Sequence, residues 1–182
     1  MLSRVEKFEA ALAQTDCDAV LVTNLKNIYY LTGFSGTEAT VFISKNRRIF
    51  LTDARYTLIA KGVVQGFDIV ETRDAIGEIV KIIAGDKLQK IGFDDEISYA
   101  SFKMLESVFS AYELVPMTAF IENLRMIKDE QEIETIRKAC QISDQAFLDV
   151  LDFIKPGETT ELAVMNFLDA RMRQLGASGA SF

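Results

Sequence analysis

Asp18-Ala-Val-Leu-Val-Thr-Asn-Leu-Lys-Asn-Ile-Tyr-Tyr-Leu-Thr-Gly-Phe-Ser-Gly36 is the stretch on which the fold turns. Its opening, Ala19-Val-Leu-Val-Thr23, is a short continuous apolar run, the pattern of a strand covered on both faces. Residues 25–31 then take helical spacing and stop at Gly33, a residue suited to ending a helix. A buried strand leading straight into a helix is the unit of a layered α/β domain.

Working outward, residues 3–14 place Val5, Phe8, Ala11 and Leu12 at spacings of three and four. That is an amphipathic helix, with Ser3 as its cap and Glu6 completing a capping box. Residues 39–44 and 48–52 are β-rich runs joined through Lys45-Asn46-Arg47, a hairpin that makes the sheet mixed rather than purely parallel. The alternation continues with a helix at 54–64, a strand at 67–70 and a helix at 75–84 whose Ile76, Ile79, Val80 and Ile83 share one face. A strand at 90–93, a helix at 99–110 and a strand at 113–115 complete it. The pattern changes within 117–128, so the expected organisation is a mixed-sheet α/β domain over residues 1–124 and two helices over 125–182.

From Asp129 one long helix is expected to about Ile154, with Asp129 and Glu132 as a second capping box and Glu134–Lys138 as a supporting pair. Ile133, Ile136, Cys140, Phe147, Val150 and Ile154 fall on one stripe. Pro156-Gly157 breaks the helix, Thr159 or Thr160 starts another, Arg171 and Arg173 suit its last turn, and Gly176 ends it. An extended segment is expected to begin in Ala177-Ser-Gly-Ala-Ser-Phe182. Two amphipathic helices with no further sheet in sequence to cover them read as the opening of a second domain whose remainder lies outside these residues. In the plainer alternative both helices lie on the first domain.

Net charge of −7 disfavours nucleic acid, whose phosphates draw on clustered Lys and Arg. The densest basic run, Lys45, Arg47 and Arg48, reads as a solvated turn. Two distant cysteines, Cys17 and Cys140, suggest a reducing compartment and no disulfide framework. The N-terminus lacks the continuous apolar core of a signal peptide, and no apolar run is long enough to span a bilayer. A cytoplasmic protein without membrane or nucleic-acid partners is therefore expected. The chain has no histidine, which removes the histidine triad, imidazole metal ligands and the imidazole proton shuttle.

Few constellations carry chemistry. Gly33-Phe-Ser-Gly36 is either a turn needing unusual backbone angles or a loop presenting an exposed Phe34 to a groove. Asp94, Asp95 and Glu96 cluster at a strand end, where solvation and capping are more natural than metal binding, since a hard cation draws six or more oxygens. Asp53 and Arg55 suit pairing across a strand-to-helix turn with Asp53 as N-cap, or Arg55 can meet a carboxylate of a ligand or partner.

Four segments together resemble Xaa-Pro aminopeptidases and Xaa-Pro dipeptidases (prolidases). Asp18 to Gly36 and Leu51-Thr-Asp-Ala-Arg-Tyr56 resemble that family's N-terminal domain. Leu124-Arg-Met-Ile-Lys-Asp-Glu-Gln-Glu-Ile-Glu-Thr-Ile-Arg-Lys-Ala139 resembles the entry into its catalytic domain, and Ile154-Lys-Pro-Gly-Glu-Thr-Thr-Glu161 the turn between that domain's first two helices. The resemblance implies a creatinase-type, ribonuclease H-like α/β domain followed by the start of a "pita-bread" metallopeptidase domain. In the family, two divalent metals, often manganese or cobalt, are held by two Asp, one His and two Glu and activate water for attack on the bond preceding proline. None of those ligands has a matching position in this sequence, so no catalytic or metal residue is carried over. The chain is expected to be inactive alone and to be the N-terminal part of an enzyme acting on proline-containing peptides.

The family's first domain contributes to dimerisation and helps wall the substrate entrance. The resemblance therefore puts Phe34, Arg55 and Tyr56 at that entrance, with a packing role as the default, and implies a homodimer. The competing expectation is a naturally short, ligand-free interaction or dimerisation module.

Overall fold

The computed structural model describes residues 3–180. Six strands form one mixed sheet in the order β4-β3-β2-β1-β5-β6: β1 Ala19–Val22, β2 Thr40–Ser44, β3 Arg47–Thr52, β4 Asp68–Glu71, β5 Lys90–Phe93 and β6 Glu113–Pro116. β2 is antiparallel to both β1 and β3, whereas β3–β4, β1–β5 and β5–β6 are parallel. The hairpin turn is tighter than expected, because Arg47 already pairs with Ser44.

Strand alternation divides the core in two. Val20 and Val22, Val41 and Ile43, and Phe50 face one layer, which holds α1 (Arg4–Leu12), α2 (Leu25–Thr32), α3 (Thr57–Val63) and α6 (Phe120–Met126). Ala19 and Leu21, Phe42, and Ile49 and Leu51 face the other, under α4 (Ala75–Ile83) and α5 (Tyr99–Val108). A sheet covered on both faces explains why β1 reads as an unbroken apolar run.

Local signals place the helix ends. Ser3 and Glu6 form the capping box of α1, Asn24 accepts from the amides of Lys26 and Asn27, and Gly33 closes α2 at φ 74°. The helix expected at 54–64 starts only at Thr57, with Tyr56 in the cap position and no side-chain cap. Asp53 is therefore not its N-cap. Its carboxylate is turned to Arg55, while its carbonyl accepts from the amides of Tyr56 and Thr57.

β6 is an edge strand. The amides of Glu113 and Met117 donate to Gln89 and Phe93 across the β5 side, so by alternation Leu114 and Pro116 face outward. Proline sits where no ladder bond is lost.

The chain divides into two compact units between Met126 and Ile127. The second holds α7 (Glu130–Phe153), capped by Asp129 with Glu132, and α8 (Glu161–Gln174), capped by Thr160. Gly157 and Gly176, at φ 78° and 105°, mark the turns after the two helices. Arg171 Nε donates to Asp149 at 2.6 Å and the Phe153 and Phe167 rings stack at 4.5 Å, joining the hairpin. Glu134 pairs with Arg137 rather than with the expected Lys138. Of the expected stripe on α7 only Val150 is buried, and Ile133, Ile136, Cys140, Phe147 and Ile154 are exposed. The extended segment expected at the C-terminus runs into Ser181 and Phe182, which lie outside the described residues.

Candidate functional site

β1 and β3 share a direction because both are antiparallel to β2, and β4, β5 and β6 run parallel to them. Five strands therefore end on one edge of the sheet, the edge where open α/β sheets place their ligands. Two side-chain clusters stand there.

The first gathers Phe34, Gly36, Thr37, Asp53, Arg55 and Tyr56. Phe34 is 1% exposed, wedged edge-on against Phe50 at 5.0 Å and Tyr56 at 5.7 Å. The reading of Phe34 as an exposed groove residue is corrected: burying a phenyl ring is worth more than presenting it to water. A Cβ built on Gly36 would stand 2.3 Å from the Phe34 ring and 2.9 Å from Tyr56, so this glycine exists for close approach. Gly33, by contrast, is needed for its positive φ. The two glycines flanking Phe34 thus serve different physical ends.

Tyr56 is half-buried, its hydroxyl 2.8 Å from Thr37 Oγ1. The Arg55 guanidinium lies 5.3 Å from the Tyr56 ring centre and grips Asp53 through Nε and Nη2 at 2.9 and 2.6 Å. That grip holds the Asp53 carboxyl below the usual carboxylate range. Asp53 is thus an anionic anchor for Arg55 and ill suited to carry a proton near neutrality. A cleft of about 390 Å³ opens beside this pair, lined also by Glu38, Thr52 and Arg73.

The second cluster surrounds Asn27, 1% exposed on α2. Its amide nitrogen donates to Asp94 at 3.0 Å and to Glu122 at 2.7 Å, and its oxygen accepts from Arg125 at 3.0 Å. Asp94 also accepts from the amides of Thr23 and Asn24 at 2.6 and 2.9 Å. The acidic strand end thus ties β5 to the start of α2 and, through Asn27, to α6. Sequence reading found Asp94 but missed Asn27, Glu122, Arg125 and α6 itself. The available signal was the i, i+1, i+4 set Phe120, Ile121 and Leu124, which packs on the first core layer.

At the opposite edge a wider cleft of about 870 Å³ includes Cys17, Lys45, Arg47 and Arg48 among its lining. The basic run is not merely a solvated turn. Arg47 grips Asp86 at 2.6 and 3.0 Å, and Arg48 grips Glu9 at 2.6 and 2.8 Å, each through two nitrogens. Burial pushes the Cys17 thiol up, away from the thiolate a nucleophile requires.

Among the described residues no group of three or more Cys, Asp or Glu side chains converges as metal ligands, and the sequence contains no histidine. The residues present do not fit a dinuclear centre. Nor is any helix among the described residues long and apolar enough to cross a membrane.

An uncharacterized peptidase of Bacillus subtilis is 36% identical over 181 residues, which cover 98% of this chain and 51% of that protein. The Xaa-Pro dipeptidase of Bacillus anthracis superposes with a TM-score of 0.91 at 35% identity, over 98% of this chain and 50% of that one. The aminopeptidase P (Xaa-Pro aminopeptidase) from Streptococcus thermophilus is 56% identical, with a TM-score of 0.65 over 67% of this chain and 95% of that one. The chain spans about half the length of the curated relatives it matches. Residues 4–127 match the creatinase/prolidase N-terminal domain. With that match spanning every helix and strand from α1 to α6, the chain belongs to the creatinase/prolidase N-terminal domain family.

Proposed function

We propose that these residues are the N-terminal, non-catalytic part of a cytoplasmic, metal-dependent Xaa-Pro peptidase, an enzyme that cleaves the peptide bond preceding proline. The observation that carries this reading is the reach of the likeness. It runs past the α/β unit through both helices of the second, into peptidases about twice as long. In this reading α7 and α8 open the catalytic domain. Two divalent metals, manganese or cobalt, would be held by residues outside these 182, since the donor set here does not fit them.

The α/β unit then serves recognition rather than bond cleavage. Arg55 and Tyr56, on the carboxyl edge of the sheet, are the residues assigned to the substrate entrance. Phe34 supports them from beneath through its contact with Tyr56. Arg55 is pre-set by Asp53 in a planar geometry suited to a carboxylate, such as the C-terminus of a short peptide.

The test is hydrolysis of an Xaa-Pro dipeptide by this chain and by a longer product that includes the sequence beyond codon 182. The longer product is expected to turn over, to lose activity to a chelator and to regain it with Mn²⁺ or Co²⁺. The short chain is expected to be silent. Turnover by the short chain, with contaminating peptidase excluded, would overturn the reading, as would a reading frame that ends at Phe182.

A further inference from the structure

Two charges remain on the cleft of about 390 Å³ once Asp53 and Arg55 have cancelled each other. Glu38 and Arg73 both line it, and among the described residues neither forms an ion pair. Local bonds fix their places. The Thr52 hydroxyl donates to the Glu38 carbonyl at 2.6 Å, and the Thr72 amide donates to the Thr52 carbonyl at 2.9 Å. Glu38 therefore flanks the end of β3 on the β2 side and Arg73 on the β4 side. After the hydrogen bonds from Arg55, the charge of Arg73 also helps to hold the Asp53 carboxyl down.

The sign and spacing of these two charges identify what fits them. Adjacent strands lie about 4.8 Å apart, so the segments on either side of β3 start about 10 Å apart. A ligand that satisfies both needs an ammonium for Glu38 and a carboxylate for Arg73, separated by a comparable length. A single amino acid carries both charges on one α-carbon and is too short. An extended peptide of about two or three residues, at about 3.3–3.6 Å each, has the reach. The surface between the charges leaves it room. Apart from Leu51, the uncharged lining residues are Thr40, Thr52, Ala54, Thr72 and Ala75, none of them bulky. Arg55 spends Nε and Nη2 on Asp53, which leaves Nη1 to join Arg73 at the carboxylate.

We infer that this cleft binds short peptides as zwitterions, with the free amino terminus at Glu38 and the free carboxylate at Arg73. The binding belongs to the α/β unit itself and needs no metal. The inference deepens the peptidase reading and rests on it only for the natural source of such peptides.

The test is an amide chemical-shift titration of the isotope-labelled 182-residue chain with trialanine, N-acetyl-trialanine, trialanine amide and alanine. Saturable shifts are expected with trialanine at Thr40, Thr52, Ala54, Thr72 and Ala75. Each blocked peptide should bind about fivefold more weakly, the loss expected of one partly exposed charge pair, and alanine should not saturate. Glu38→Gln should abolish the preference for trialanine over its acetylated form and keep that over the amide. Arg73→Gln should shrink the preference over the amide and keep the other. Both residues are exposed, so neither variant should change the far-ultraviolet circular dichroism. No saturation by trialanine, shifts centred elsewhere, equal binding of all three peptides or saturation by alanine would overturn the inference. Variants that weaken every peptide alike would overturn it as well. Turnover by the longer product decides the peptidase reading separately. Silence there beside a positive titration strikes that reading and leaves the ligand class of the cleft standing, and the converse strikes this inference alone.

Discussion

The first unit seals β1, β2, β3 and β5 between two helical layers, with Leu58 and Tyr99 left exposed on its outer helices, whereas the α7–α8 hairpin buries only Ala146 and Val150 outright. Helices of both units carry apolar stripes, Ile79 and Ile83 on α4 and Ala146 and Val150 on α7 among them. The difference shows what such a pattern carries: a stripe says that a face wants cover but does not name the cover. In the first unit the sheet supplies it. In the second, the hairpin leaves Ile133, Ile136 and Phe147 exposed.

The contrast can be broken most directly in the first core. Phe50→Ala removes a fully buried ring on β3 and is expected to cost about 3–5 kcal/mol in a cooperative denaturant transition. A loss below about 1 kcal/mol would mean that this unit is less tightly closed than its burial indicates. Next in size is Asn27→Leu, which leaves Asp94, Glu122 and Arg125 without their shared amide. A cost of about 2–3 kcal/mol is expected, with hydrogen exchange speeding up in α6 more than in α4. Equal acceleration in both would count against the tie. Gly36→Ala should cost about 2 kcal/mol, since the new methyl must displace the Phe34 ring. A neutral outcome would show that the corner can give.

The smallest effect belongs to the second unit. Arg171→Ala should cost below about 1 kcal/mol, as expected for a partly exposed pair, and should quicken exchange only in α7 and α8. The same pair sets an acid limit. Arg171, then Gln145, hold the Asp149 carboxyl below its ordinary value. The folded value is the lower one, so the contribution is complete above the unfolded value of about 3.9. It is lost as pH falls through the depressed folded value. Protection of the α8 amides, taken relative to their intrinsic exchange at each pH, should therefore fall on acidification below about pH 4, and a flat profile in Arg171→Ala would confirm the cause.

Much of this architecture was legible in the residues. Ser3 with Glu6 and Asp129 with Glu132 announced two helix starts, Gly33 and Gly157 two stops, and β1 its double burial, because each signal acts within a few residues. α6 was not legible. It begins after Ala119, a non-glycine residue at φ 53°, with no Ser, Thr, Asp or Asn cap to mark it. Nor was Asn27, whose partners lie 67 to 98 positions away. Phe34 was noticed for its glycine neighbours, but only the fold showed that Gly36 makes room for the ring rather than exposing it.

The outward place of Pro116 on β6 has a consequence for crowding. An incoming strand at that margin would find a single amide donor, Leu114, before meeting a ring that has none. The sheet is thereby capped against end-on accretion on this flank, a safeguard against fibrous growth that needs no charge and works equally at any salt concentration.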